Sequence, residues 1–156
     1  MEDQKKEKIE ITREILSEYL EKNKLRKTPE RFAILHEIYN RNDHFDAETL
    51  YKTMINKGFN VSRATVYNTL DILLECELVV RHQFGKSQSV YEKSYGYRQH
   101  DHLICLDCGV VKEFCDPRIQ QIENMVGELM QFEVDHHSLT LYGKCTKIDC
   151  EFKAMS

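Results

Sequence analysis

His100-Asp101-His102-Leu103-Ile104-Cys105-Leu106-Asp107-Cys108-Gly109 places two histidines and two cysteines within nine residues. His-x-His offers imidazoles to a borderline metal, and the Cys-x-x-Cys that follows offers thiolates to zinc, so one short segment can serve two different sites. Gly109 suits the tight knuckle after the second sulfur because it takes a positive φ without steric cost. A tetrahedral zinc site needs two further ligands, and Cys145 and Cys150 supply them as Cys-x4-Cys. The alternative readings are that these cysteines pack as small hydrophobes or form disulfides. Residues 1–10 are charged and contain no apolar signal region, so a cytoplasmic location is expected, where thiols stay reduced and metal is favoured over disulfide.

Working outward, the 156 residues suit one ordinary domain or two small ones, and no apolar run approaches the roughly 20 residues of a membrane span. With 41% hydrophobic and 31% charged residues the composition is that of a globular chain, not a disordered one. The formal charge of -4 weighs against nucleic acid, yet it is unevenly spread. Up to Lys93 there are 16 basic and 16 acidic residues, against 6 and 10 afterwards. The first part is neutral and can carry a local basic face.

That first part reads as helices followed by a hairpin. Ile9, Ile15, Leu16, Tyr19 and Leu20 recur at helical spacing over residues 5–22. The basic linker Lys22 to Lys27 suits a solvated loop or phosphate contact. Thr28 and Pro29 read as N-cap and first helical position of a helix whose stripe is Phe32, Ile34, Leu35 and Ile38. Asp46 caps a third helix, to about Lys57, ended by Gly58. Ser62 caps a fourth, with Val66, Leu70, Leu73 and Leu74 on one face and Arg63, Tyr67 and Asn68 off it, where a recognition helix presents side chains to base edges. Leu78 to Phe84 and Ser89 to Glu92 flank Gly85 to Gln88 in the pattern of a β-hairpin. The order predicts a winged helix-turn-helix.

Residues 94–99, with Tyr95-Gly96-Tyr97, read as a hinge. Strands at 103–105 and 110–114, a helix from Asp116-Pro117 to about Met130, and a last strand over 132–142 predict a β-β-α-β unit. About 60 residues is small enough to want a metal or a partner subunit for stability. The expected class is α+β: a winged helix over 1–93 and an α/β dimerisation domain over 94–156.

This order of motifs resembles the ferric uptake regulator family of metal-dependent bacterial repressors. The resemblance is carried by Ala64-Thr65-Val66-Tyr67, by His100 to Gly109, and by His137-Ser138-Leu139 running into Tyr142-Gly143-x-Cys145 and Cys150. It implies a homodimeric repressor of iron homeostasis genes, acting on a palindromic double-stranded DNA operator, with no membrane partner, no small-molecule substrate and no enzymatic activity. It implies structural Zn2+ on Cys105, Cys108, Cys145 and Cys150. It also implies regulatory Fe2+, replaceable in vitro by Mn2+ or Zn2+, on His44, Glu92, His100, His102 and Glu113. In an additional family site Asp101 and His137 match, but Gln99 stands where a histidine is common and Gln120 where an acid is common. Direct readout falls to Tyr67, Thr65, Arg63 and Asn68, with Arg26 reaching a minor groove; arginine is frequent in the family at the position of Asn68.

Zinc-uptake repressors share this pattern, whereas the related peroxide sensors usually carry aspartates where Glu92 and Glu113 stand. Two rivals come from other classes: a metal-dependent hydrolase on His100, His102, Glu92 and Glu113, and a zinc-stapled protein-interaction module. The hydrolase lacks an open coordination position. Cys76 and Cys115 fall outside every motif and are expected to pack in the interior.

Overall fold

The computed structural model describes residues 1–84, 88–97 and 99–146. The chain divides into two compact units, residues 1–97 and 98–156. Among the described residues no helix is long and apolar enough to cross a membrane.

The first unit contains α1 (Glu2–Lys22), α2 (Pro29–Asn40), α3 (Ala47–Asn56), α4 (Arg63–Glu75), β1 (Val79–His82) and β2 (Val90–Lys93). Local chemistry sets the helix starts. Asp46 Oδ1 accepts from the Thr49 N–H (2.6 Å) at the head of α3, and Ser62 Oγ accepts from the Thr65 N–H (3.1 Å) at the head of α4. Thr28 takes the extended cap conformation but makes no side-chain cap bond, Pro29 alone pre-setting the first turn of α2. Gly58, at φ +84°, ends α3, its N–H donating to Ile55 O.

Leu16 and Leu20 of α1, Ile34, Leu35 and Ile38 of α2, Leu50 and Met54 of α3, and Val66, Leu70 and Leu73 of α4 are all fully buried in one cluster. At roughly 1.5–3 kcal/mol for each large side chain buried, this core is ample for a small domain. Leu74, expected inside, is half-buried, and Ile72 is buried instead. β1 and β2 pair antiparallel, with Val80 opposite Glu92 and His82 opposite Val90, as a wing on the helical core. Tyr39 Oη seals the seam by donating to Leu78 O (2.7 Å) and accepting from the Tyr95 N–H (3.2 Å). Lys93, 8% exposed, donates to Tyr39 O, Arg41 O and Asn42 Oδ1, so its charge is met by three oxygens.

The second unit contains β3 (Asp101–Cys105), β4 (Val111–Phe114), α5 (Pro117–Met130) and β5 (Thr140–Gly143). β3 is central, antiparallel to β4 and parallel to β5. Asp116 caps α5 by accepting from the Arg118 N–H, and Gln131 in the left-handed region closes it. Gly127 is required there, because a Cβ would stand 2.9 Å from Phe132 O.

The last strand is shorter than residues 132–142. The ladder starts only at His102 opposite Thr140; just before it the His137 side chain is tied to Glu123 of α5 and to Asp101, so this stretch is held by side-chain bonds instead of strand pairing.

Candidate metal centres and nucleic-acid face

The thiolate knuckle follows from strand order. Cys105 ends β3, and the Gly109 N–H returns to Cys105 O (2.9 Å) with Gly109 at φ +74°, so Cys108 turns back beside Cys105. The parallel register sets Gly143 against Cys105, and two residues later Cys145 joins them. Its N–H donates to Cys105 Sγ (3.4 Å), and Cys108 Sγ lies 3.8 Å from Cys145 Sγ. A tetrahedron with arms of about 2.3 Å has an edge of about 3.8 Å, so the spacing fits zinc. The three sulfurs lie within 4.8 Å of one another. Backbone N–H donation from Cys108, then from Cys145, holds the Cys105 thiol down to about 6 from its ordinary 9.0, which favours the ligating thiolate. Cys150 lies outside the described residues.

Donors for a second metal are paired within each unit. In the first, Phe45 and Tyr91 exchange both backbone hydrogen bonds (3.0 and 2.7 Å), which brings the adjacent His44 and Glu92 together. His44 Nε2 lies 3.0 Å from Glu92 Oε2, and His82 Nε2 lies 2.6 Å from Glu92 Oε1. In the second, His102 stands opposite Glu113 across β3 and β4, and His100 Nε2 is 3.6 Å from Glu113 Oε1. The rings of His100 and His102 meet edge to face at 4.9 Å. Imidazole with carboxylate on each unit is a donor set suited to ferrous iron or manganese.

Asp101 and His137 also come together, in company that sequence reasoning missed. His137 Nε2 donates to Asp101 Oδ1 (2.7 Å) and Nδ1 to Glu123 Oε1 (2.8 Å). Burial opposes the charge on His137, but hydrogen bonds to Glu123 and Asp101 prevail and raise its pKa above 6.5. Gln120 instead donates to Asn124, while Glu123 stands one position set further along the same helix face. Gln99 Nε2 donates to His137 O (2.5 Å).

The candidate nucleic-acid face is the exposed side of α4. Tyr67 is 48% exposed, Arg63 and Asn68 are exposed, and Thr65 is half-buried. Arg63 forms a fork with Glu48, Nη2 to Oε1 at 2.9 Å and Nε to Oε2 at 3.1 Å, and its guanidinium lies 4.4 Å from the Tyr51 ring. Asn68 Oδ1 accepts from Arg31 Nη2 (3.2 Å), and Arg31 also donates to the carbonyl of Arg26 in the exposed basic linker. Arg31 thus adds a cation to this face that helical periodicity in α2 did not single out. Cys76 is half-buried against the core, but Cys115 is exposed, contrary to expectation: it follows β4 directly, beyond the strand's pairing with β3.

A winged helix with an exposed fourth helix, in one chain with a thiolate-bearing α/β unit, defines a metal-binding transcriptional regulator. The chain belongs to the ferric uptake regulator family, whose model matches residues 22–142. The ferric uptake regulation protein of Cupriavidus metallidurans is 38% identical over 128 residues, covering 81% of this chain and 88% of that one. Among solved structures, the Helicobacter pylori ferric uptake regulator, described as having three functional metal binding sites, matches with a TM-score of 0.78 at 28% identity. That match covers 92% of this chain and 93% of the other. The Pseudomonas aeruginosa regulator with manganese matches at 0.73 and 34% identity, over 84% and 98%.

Proposed function

We propose that this protein is a cytoplasmic, iron-responsive repressor that binds a palindromic operator as a homodimer when its regulatory metal is bound. The observation that carries the reading is the pairing of imidazole with carboxylate on both units, at His44 with Glu92 and at His100, His102 with Glu113. Fe2+, replaceable in vitro by Mn2+ or Zn2+, is held by these five residues and supplies the charge that neutralises the two glutamates. On this reading DNA binding belongs to residues 1–93 and dimerisation to 94–156, with a hinge at 94–99. Cys105, Cys108 and Cys145, with Cys150, hold structural Zn2+.

The residues of α4 then act as a reading head. Tyr67 offers its ring to a thymine methyl, Asn68 offers an amide, and Arg63 and Arg26 meet phosphate or groove. Ile122, Met125, Val126 and Leu129 are all exposed on α5, an apolar stripe that a second copy covers. Metal and DNA each favour one domain arrangement, so each raises the other's affinity. A coupling of roughly 1–3 kcal/mol changes operator occupancy about 5- to 150-fold.

Anaerobic operator binding by zinc-loaded protein, titrated with Fe2+, Mn2+ and Zn2+ at fixed salt, tests the reading. Tightening by Fe2+ that His102→Ala abolishes is expected. Tightening by Zn2+ alone would make the protein a zinc-uptake repressor, and indifference to every metal would remove the regulatory site.

A further inference from the structure

We propose that His82 is a positioning residue for the regulatory metal, fixing Glu92 so that one carboxylate oxygen faces the cation; this rests on the regulatory site proposed above. The wing register puts His82 and Glu92 on one face of the hairpin. Val80 stands opposite Glu92, and His82 is two residues further along the same strand, so the two side chains are diagonal neighbours. Nε2 of His82 donates to Oε1 of Glu92 at 2.6 Å, while Oε2 of the same carboxylate meets His44 at 3.0 Å. All three side chains are largely buried, with exposures of 17%, 13% and 19%. A short charge-assisted bond away from bulk water holds the carboxylate in one orientation.

The His82 ring is itself fixed. It stacks on Phe84 with centroids 5.2 Å apart and planes within 5°, and His44 meets the edge of the same Phe84 ring at 6.0 Å. Phe84 is 8% exposed, so it is a rigid platform shared by the ligand and its orienter. With Oε1 bonded to His82, Glu92 turns its other oxygen, Oε2, toward His44. Partners that orient a ligating group are typically worth about 10- to 100-fold in metal affinity.

Three variants separate the hydrogen bond from the packing. His82→Phe keeps a ring against Phe84 and loses the donor; His82→Gln keeps an N–H donor near the same place and loses the ring; Glu92→Ala removes the ligand. Mn2+ dissociation constants are measured on full-length, zinc-loaded protein from the electron paramagnetic resonance signal of the free ion. Expected is a 10- to 100-fold weakening in His82→Phe, recovered to within about threefold in His82→Gln. Mn2+ binding by His82→Phe within twofold of wild type, while Glu92→Ala loses it, would overturn the positioning role and leave the regulatory site standing. His82→Gln as weak as His82→Phe would also overturn it. Unchanged Mn2+ binding by Glu92→Ala would instead remove the regulatory site itself.

Discussion

The two units spend their apolar residues in opposite ways. Among the described residues, every large side chain that is fully buried lies between Leu16 and Val79, in the first unit. In the second, Ile104 and Cys105 are the buried apolar residues among those described, while Met125, Leu129 and Phe132 are 68%, 81% and 74% exposed. The first unit is held by its own core. The second has a three-stranded sheet and one helix whose apolar stripe is exposed, a unit small enough to want a metal or a partner for stability. One chain therefore joins a unit with a full core to one with little buried apolar surface among its described residues.

Zinc removal should break that contrast most strongly. Structural zinc contributes about 10–16 kcal/mol of apparent binding free energy in small finger peptides, far more than a small unit's own margin. Chelation, or Cys105→Ser, is expected to abolish cooperative unfolding of residues 98–156 and the dimer, while most helical circular dichroism persists because α1 to α4 stay folded. Sedimentation and far-ultraviolet spectra check this, and a tight dimer in zinc-free protein would contradict it. The reverse cut is Leu70→Ala, in the fully buried core of the first unit. It should cost about 2–5 kcal/mol by chemical denaturation. Zinc content should not change. A smaller effect is expected at the head of α3: Asp46→Ala, losing the bond from Thr49, should cost about 1 kcal/mol.

The same contrast explains what the sequence disclosed. Caps at Asp46 and Ser62, the stripe of α4 and the wing hairpin were legible because they are local patterns that a self-contained core then satisfies. The apolar face of α5 has the same periodicity as a buried helix, and only the structure distinguishes a face covered by the described chain from one that is exposed. Extent differs in β5 for a related reason: alternation in residues 132–139 says that a strand is possible, whereas pairing begins only at Thr140, after His137 has bonded to Glu123 and Asp101. At the sites, Cys105, Cys108 and Cys145 were readable from spacing, and His44 and Glu92 only from resemblance. His82, Glu123 and Arg31 were missed because each earns its place through a neighbour on another element. Hairpin parity could have found His82, and an i+3 search from Gln120 could have found Glu123.

The smallest predicted effect is a pH dependence that differs in sign between sites. In the first unit the fork from Arg63 lowers the Glu48 pKa, so any contribution there is present at neutral pH and lost in acid. His137 behaves oppositely. Its pKa in the folded protein is raised above 6.5 by Glu123 and Asp101, so its contribution is full below 6.5 and fades as pH climbs through the raised value. The advantage of wild type over Glu123→Gln, read as the urea midpoint for zinc release without regulatory metal, should therefore be largest near pH 6 and shrink by pH 8. Zinc must be loaded for this comparison. In zinc-free protein Cys105, held down to about 6, would add stability with rising pH between about 6 and 9 and mask the trend. Growth of the wild-type advantage with pH would mean that His137 is not held between its carboxylates as an imidazolium, and that the second unit relies on its thiolates alone.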